Sequence, residues 1–101
     1  MPLTNFTRDN FDREISAGTV LVDFYGDNCT HCRRLSPLVE RTALRCGNVK
    51  FGKVDVEAER ELARRYGIFA IPTLILFRDG EEVKRSVGAI PEEKLAYLIK
   101  S

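Results

Sequence analysis

The sequence carries no excess of charge of either sign. Sixteen Lys and Arg stand against 15 Asp and Glu, a formal net charge of +1 over 101 residues. So even a balance gives no electrostatic footing for nucleic acid or for an acidic membrane surface. Long apolar runs are missing too. The longest, Ile68 to Phe77, is broken by Pro72 and Thr73 and falls short of the roughly 18 residues that a membrane span requires. The start, Met1-Pro2-Leu3-Thr4-Asn5, has no basic segment leading into an apolar one. No secretory signal is read there, and a cytoplasmic location is expected. Cysteine is scarce: three is an odd number and too few for a disulfide-built scaffold. No glycine-rich phosphate loop occurs, so the sequence offers no nucleotide or flavin motif. Repeats, linkers and low-complexity tracts are also lacking.

What is present reads as ordinary globular material. Hydrophobic residues make up 44% and charged residues 31%, which argues against disorder. The length suits one domain, 1–101, with a core that needs no metal or disulfide staple. Thr7 is a candidate helix N-cap, with Phe11 and Ile15 on one face and Gly18 as a stop. Thr19 to Tyr25 is apolar on both faces, the pattern of a central strand covered on each side. Gly26-Asp27-Asn28 is a turn. A long helix follows from about Cys29, with Leu35, Leu38, Val39, Thr42 and Ala43 at helical spacing and Pro37 inside it, where a kink is expected. Its arginines, Arg34, Arg41 and Arg45, lie off that stripe and read as a solvated face. Gly47-Asn48 ends it.

Val49 to Val56 is a second strand, Ala58 to Tyr66 a helix stopped by Gly67, and Leu74 to Arg78 a third strand. In the helix, Glu61 and Arg65 are spaced to pair. Asp79-Gly80 is a hairpin signal leading into Val83 to Val87. Pro91 opens a last helix with Glu92 and Glu93 in its first turn. The order α, β, α, β, α, β, β, α implies an α/β fold: one mixed sheet with helices on both faces.

The chemistry lies in Cys29-Thr30-His31-Cys32. Residues three apart in a first helical turn share a face, within modest adjustment of disulfide geometry. A helix N-terminus offers unpaired N–H groups and positive dipole density. Both stabilise a thiolate, so Cys29 is expected to be nucleophilic near neutral pH. Half a zinc site is the competing reading, but no second cysteine pair follows. Haem attachment needs His directly after the second Cys, where Arg33 stands. A redox dithiol at a strand–turn–helix junction is favoured. Asp23 sits mid-strand among apolar neighbours, so burial should raise its pKa. Cys46, alone near the helix end, reads as a small buried hydrophobe.

VDFYGDNCTHCRRLSP, KVDV, YGIFAIPT, the Asp-Gly hairpin and VGA together resemble the thioredoxin family over about Phe6 to Ile99. The resemblance implies the thioredoxin fold and a thiol–disulfide oxidoreductase that reduces protein disulfides. It implies no cofactor beyond a redox-active Cys29–Cys32 disulfide and no metal. Cys29 would attack, Cys32 would resolve, and Asp23 would take the Cys32 proton, with Lys53 beside that carboxylate. A cis Ile71–Pro72 bond would pack against the dithiol. Asn28, Ile71, Pro72 and Gly88 would meet the substrate, in part by strand addition. Implied partners are protein disulfides and a reductase donor like those that serve thioredoxins, with no nucleic acid or membrane, and the chain acting as a monomer.

The sequence departs from the family in having no tryptophan. Asn28 and Tyr25 stand where the family carries Trp, and Thr30-His31 replaces Gly-Pro. An imidazole at His31 can attract or donate to the Cys29 thiolate. That favours the reduced form and raises the potential above the thioredoxin value of about −270 mV, toward about −200 mV. Two other readings stand beside the reductase: a more oxidising oxidase or isomerase, and a non-enzymatic metal- or partner-binding module.

Overall fold

A computed structural model describes residues 3–101. The elements run β1 (Thr4–Asn5), α1 (Phe11–Ile15), β2 (Thr19–Tyr25), α2 (Thr30–Arg45), β3 (Val49–Asp55), α3 (Arg60–Arg65), β4 (Thr73–Arg78), β5 (Glu81–Val87) and α4 (Glu92–Ile99). The sheet order is β1-β3-β2-β4-β5. β3 pairs in parallel with β1 and β2, while β4 pairs antiparallel with β2 and β5. This is the expected mixed sheet.

β2 explains the layering. Successive side chains point to opposite faces. Val20, Val22 and Phe24 enter one core with Phe11 and Ile15 of α1 and Leu62 of α3. Leu21 enters the other with Leu35 and Val39 of α2 and Leu95 and Leu98 of α4. Asp23 shares the Leu21 face, so its carboxyl is carried into the layer beneath α2.

Four expectations need correction. β1 stands outside the expected order of elements: two polar, exposed residues carry no strand pattern, and only their register with Gly52 and Lys53 makes them one. Thr7 is not the N-cap of α1. The helix begins after Asn10, whose side chain accepts the Thr7 N–H at 2.8 Å and closes a turn first. Arg65 does not pair with Glu61. It reaches across to Asp12 of α1 at 2.7 Å, tying together the two helices on that face. The arginines of α2 are also not merely solvated: Arg41 and Arg45 both reach Glu92 at the start of α4, at 3.1 and 3.5 Å.

α2 continues through Pro37, which removes one helical N–H donor without ending the helix. Asp79 and Gly80 have φ of 52° and 89°, the paired positive values of a tight hairpin turn. Gly52 is required by packing, since a Cβ there would collide with the ring of Phe6.

Candidate active site

The C-terminal end of β2, the turn after it and the first turn of α2 build the site. Cys29 is the N-cap of α2 in an extended conformation, φ −130° and ψ 105°. Its Sγ accepts the Cys32 N–H at 3.1 Å, so a free helical amide is aimed at the first sulfur. Arg33 donates its N–H to Cys29 O at 3.1 Å and its guanidinium to Asp27 O at 3.0 Å, clamping turn to helix. Cys29 and Cys32 are joined as a disulfide with Cα atoms 5.2 Å apart, within the span such a bond accepts. Cys29 is 8% exposed and Cys32 5%, so both are buried, with Cys29 the nearer to the surface rim. Asn28, Thr30 and His31 are exposed around that rim.

A second segment closes on the pair. The Ile71–Pro72 peptide is cis, and Ile71 O lies 3.9 Å from Cys29 Sγ. Ile71 sits just outside the β4 ladder, which starts at Thr73. Gly88, with φ of 95°, donates its N–H to Pro72 O at 2.7 Å, so Ile71, Pro72 and Gly88 are brought together beside the dithiol. Two features of the site carry no sequence pattern. A Cβ on Gly26 would fall 2.7 Å from Ile71 Cδ1, so the bare glycine admits that contact. Phe69, two residues before Ile71, is 89% exposed.

Behind the disulfide, Asp23, Cys32, Tyr25, Ser36, Glu40 and Lys53 line a cavity of about 210 Å³. Asp23 is buried and its Oδ1 has no hydrogen-bond partner among the described residues. Desolvation pushes its pKa up to about 7, against a lowering by the Lys53 ammonium. Lys53 is half-buried rather than a plain surface lysine, and its Nζ sits 5.6 Å from the centroid of the Tyr25 ring. Burial raises the Tyr25 phenol, helped by Asp55, Asp27 and Asp23.

Cys46 caps the far end of α2 and is half-buried, packed at the margin of the α2–α4 core. Sixteen helical residues separate it from Cys29, roughly 24 Å at 1.5 Å each. It cannot join the pair in one metal site. Among the described residues, no group of three or more His, Cys, Asp or Glu is placed to hold a metal ion.

The thioredoxin family model matches residues 2–101. The chain belongs to the thioredoxin family. A thioredoxin of Chlamydia muridarum is 43% identical over 93 residues, covering 92% of this chain and 91% of the relative. A thioredoxin of Bacillus subtilis is 38% identical over 100 residues, covering 98% and 96%. The crystal structure of mitochondrial thioredoxin 3 from Saccharomyces cerevisiae in its oxidized form superposes with a TM-score of 0.90 at 27% identity, over 97% of this chain and 93% of that one. The fold is the thioredoxin fold, and Cys29–Cys32 is the active-site pair. The activity is thiol–disulfide oxidoreduction, as a protein-disulfide reductase. Thioredoxins need no cofactor, because the redox group is the disulfide itself. Membership also implies protein disulfides as substrates and a reductase as electron donor. Among the described residues, no helix is long and apolar enough to cross a membrane.

Proposed function

We propose that the reaction runs with Cys29 as nucleophile, Cys32 as resolving thiol and Asp23 as proton acceptor. In the reduced protein the Cys29 thiolate attacks one sulfur of a substrate disulfide. The substrate S–S bond breaks, a mixed disulfide forms, and the first substrate sulfur leaves as a thiolate that takes a proton from water. The Cys32 proton passes to Asp23 through the cavity they share. Cys32 then attacks Cys29 Sγ, and the second substrate sulfur leaves. Two electrons have moved to the substrate and Cys29–Cys32 is oxidised. A reductase returns it to the dithiol.

The observation that carries this reading is the placement of Asp23, raised to about 7, on the same cavity as Cys32. A base of that strength is matched to proton transfer near neutral pH. Lys53 modulates it. Ile71, Pro72 and Gly88 offer the docking surface for an extended stretch of substrate, with Asn28 at its edge; in support, Ile71 O already lies beside Cys29 Sγ. Thr30 and His31 tune the pair. The chain works in the cytoplasm as a one-domain monomer, 1–101, without nucleic acid or membrane.

Reduction of insulin disulfides with dithiothreitol, run beside Cys29→Ser and Cys32→Ser, tests the assignment. Both variants should lose turnover, and Cys32→Ser should accumulate mixed disulfides. Trapping by Cys29→Ser instead would reverse the two roles.

A further inference from the structure

Tyr25 has no part in the reaction sequence above, yet it lies inside the machinery. Asp23 and Tyr25 are two apart on β2, and their register partners on β3 are Lys53 and Asp55. Parallel register partners project on the same side of the sheet, so all four sit on the face that α2 covers. Asp55 is occupied at the start of the next turn, where its Oδ1 accepts the Glu57 N–H at 3.0 Å. Asp27 from the turn and Arg33 and Glu40 from α2 complete the charged groups around the cavity. Arg33 is held by Asp27 O at 3.0 Å, and Glu40 lies 3.4 Å from Ser36 Oγ.

Lys53 is different. It takes part in none of the ion pairs found among the described residues, and Asp23 Oδ1 accepts no hydrogen bond. Its influence on the carboxylate therefore acts through space and depends on where the ammonium rests. A lysine stem is flexible and its head prefers water. The contact found for Nζ is the face of Tyr25 at 5.6 Å, within the reach of a cation–π attraction.

We propose that Tyr25 is a positioning residue: its ring face holds the Lys53 ammonium in the cavity behind the dithiol, where it faces Asp23. This rests on the reading of Asp23 as the proton acceptor, and it gives the aromatic at position 25 a task that any flat ring can perform and an aliphatic side chain cannot. Without the ring, the lysine head moves outward and the carboxylate loses part of the cation that favours its charged form. The Asp23 midpoint then rises.

The test is the carboxyl ¹³C titration of Asp23 by NMR in the oxidised full-length protein, with insulin reduction measured across the same pH range. Tyr25→Leu should move the NMR midpoint upward by roughly half a pH unit or more. Tyr25→Phe keeps the ring and should leave it in place. In a Lys53→Met background the Tyr25→Leu shift should vanish. A downward shift, no shift, an equal shift in Tyr25→Phe or an undiminished shift without Lys53 each overturns the proposal. Should Tyr25→Leu not fold, Tyr25→Ile with the same two controls carries the measurement. If the NMR midpoint moves as expected while the rate profile does not, Tyr25 does position Lys53 and it is the proton-acceptor role of Asp23 that falls.

Discussion

Asp23 stands opposite Lys53 across the parallel β2–β3 pair, and the two line one cavity with Cys32, yet Asp23 Oδ1 accepts no hydrogen bond among the described residues. A carboxyl buried and unpartnered in this way opposes folding once it is charged. The raised pKa means that the folded chain binds more protons than the unfolded one between about 4 and about 7. Stability is therefore greatest below the unfolded value and falls as pH rises through the folded one. From 3.8 to about 7, the penalty at high pH has an upper limit of about 4 kcal/mol. Asp23→Asn should stabilise the protein above pH 7, and the gain should fade near pH 4, as read by guanidinium unfolding at both pH values. The same variant should resolve mixed disulfides more slowly at neutral pH, by roughly a hundredfold or more. A destabilised Asp23→Asn at pH 8 would contradict the desolvation argument.

His31 lies exposed in the first turn of α2, between the two cysteines. A potential between about −270 and −200 mV is expected at equilibrium with glutathione. His31→Pro should bring it down by some tens of millivolts, since a first-turn proline is tolerated by the helix and the imidazole is gone. A wild-type value at or below about −270 mV removes the histidine from the account.

Gly52 and Phe6 are packed so closely that a methyl group has no room. Phe6 is 1% exposed and its ring is fixed edge-on against Phe11 at 5.9 Å. Gly52→Ala should cost about 1–3 kcal/mol. Combining it with Phe6→Leu should recover part of the loss relative to the sum of the two single changes. Simple additivity in thermal or denaturant unfolding would show that the two sites do not meet.

Phe69, 89% exposed, stands two residues before Ile71 in the chain, and Val87, 49% exposed, pairs with Thr73 next to Pro72. With no tryptophan in the chain, these two exposed apolar side chains flank the Ile71–Pro72 segment along the chain and across β4–β5, where a substrate can cover them. Phe69→Ser should raise KM for a protein disulfide several-fold, as expected for part of one aromatic side chain. Reduction of a small aliphatic disulfide should be unaffected. An equal loss with both substrates would place the residue in the chemistry rather than in docking.

Local patterns carried much of this architecture. Thr19–Tyr25 was bounded as a strand by its β-branched and aromatic run, and Asp79-Gly80 as a turn by residues that tolerate positive φ. Asp23 was legible as buried because its strand neighbours are apolar on both faces. Arg65, by contrast, had a partner at helical spacing in Glu61 and chose Asp12, a residue brought near only by the packing of α1 beside α3.

The residues alone were enough to place a dithiol at a strand–turn–helix junction, because spacing, turn chemistry and helix capping act over a few positions. Tertiary structure decided which distant groups meet there. Ile71 reaches Cys29 across 42 residues, Gly88 binds Pro72, and Lys53 comes to rest on Tyr25. Those meetings follow from strand register and from the closure of two cores on one sheet, which are set by the packing of the whole chain and leave no local pattern.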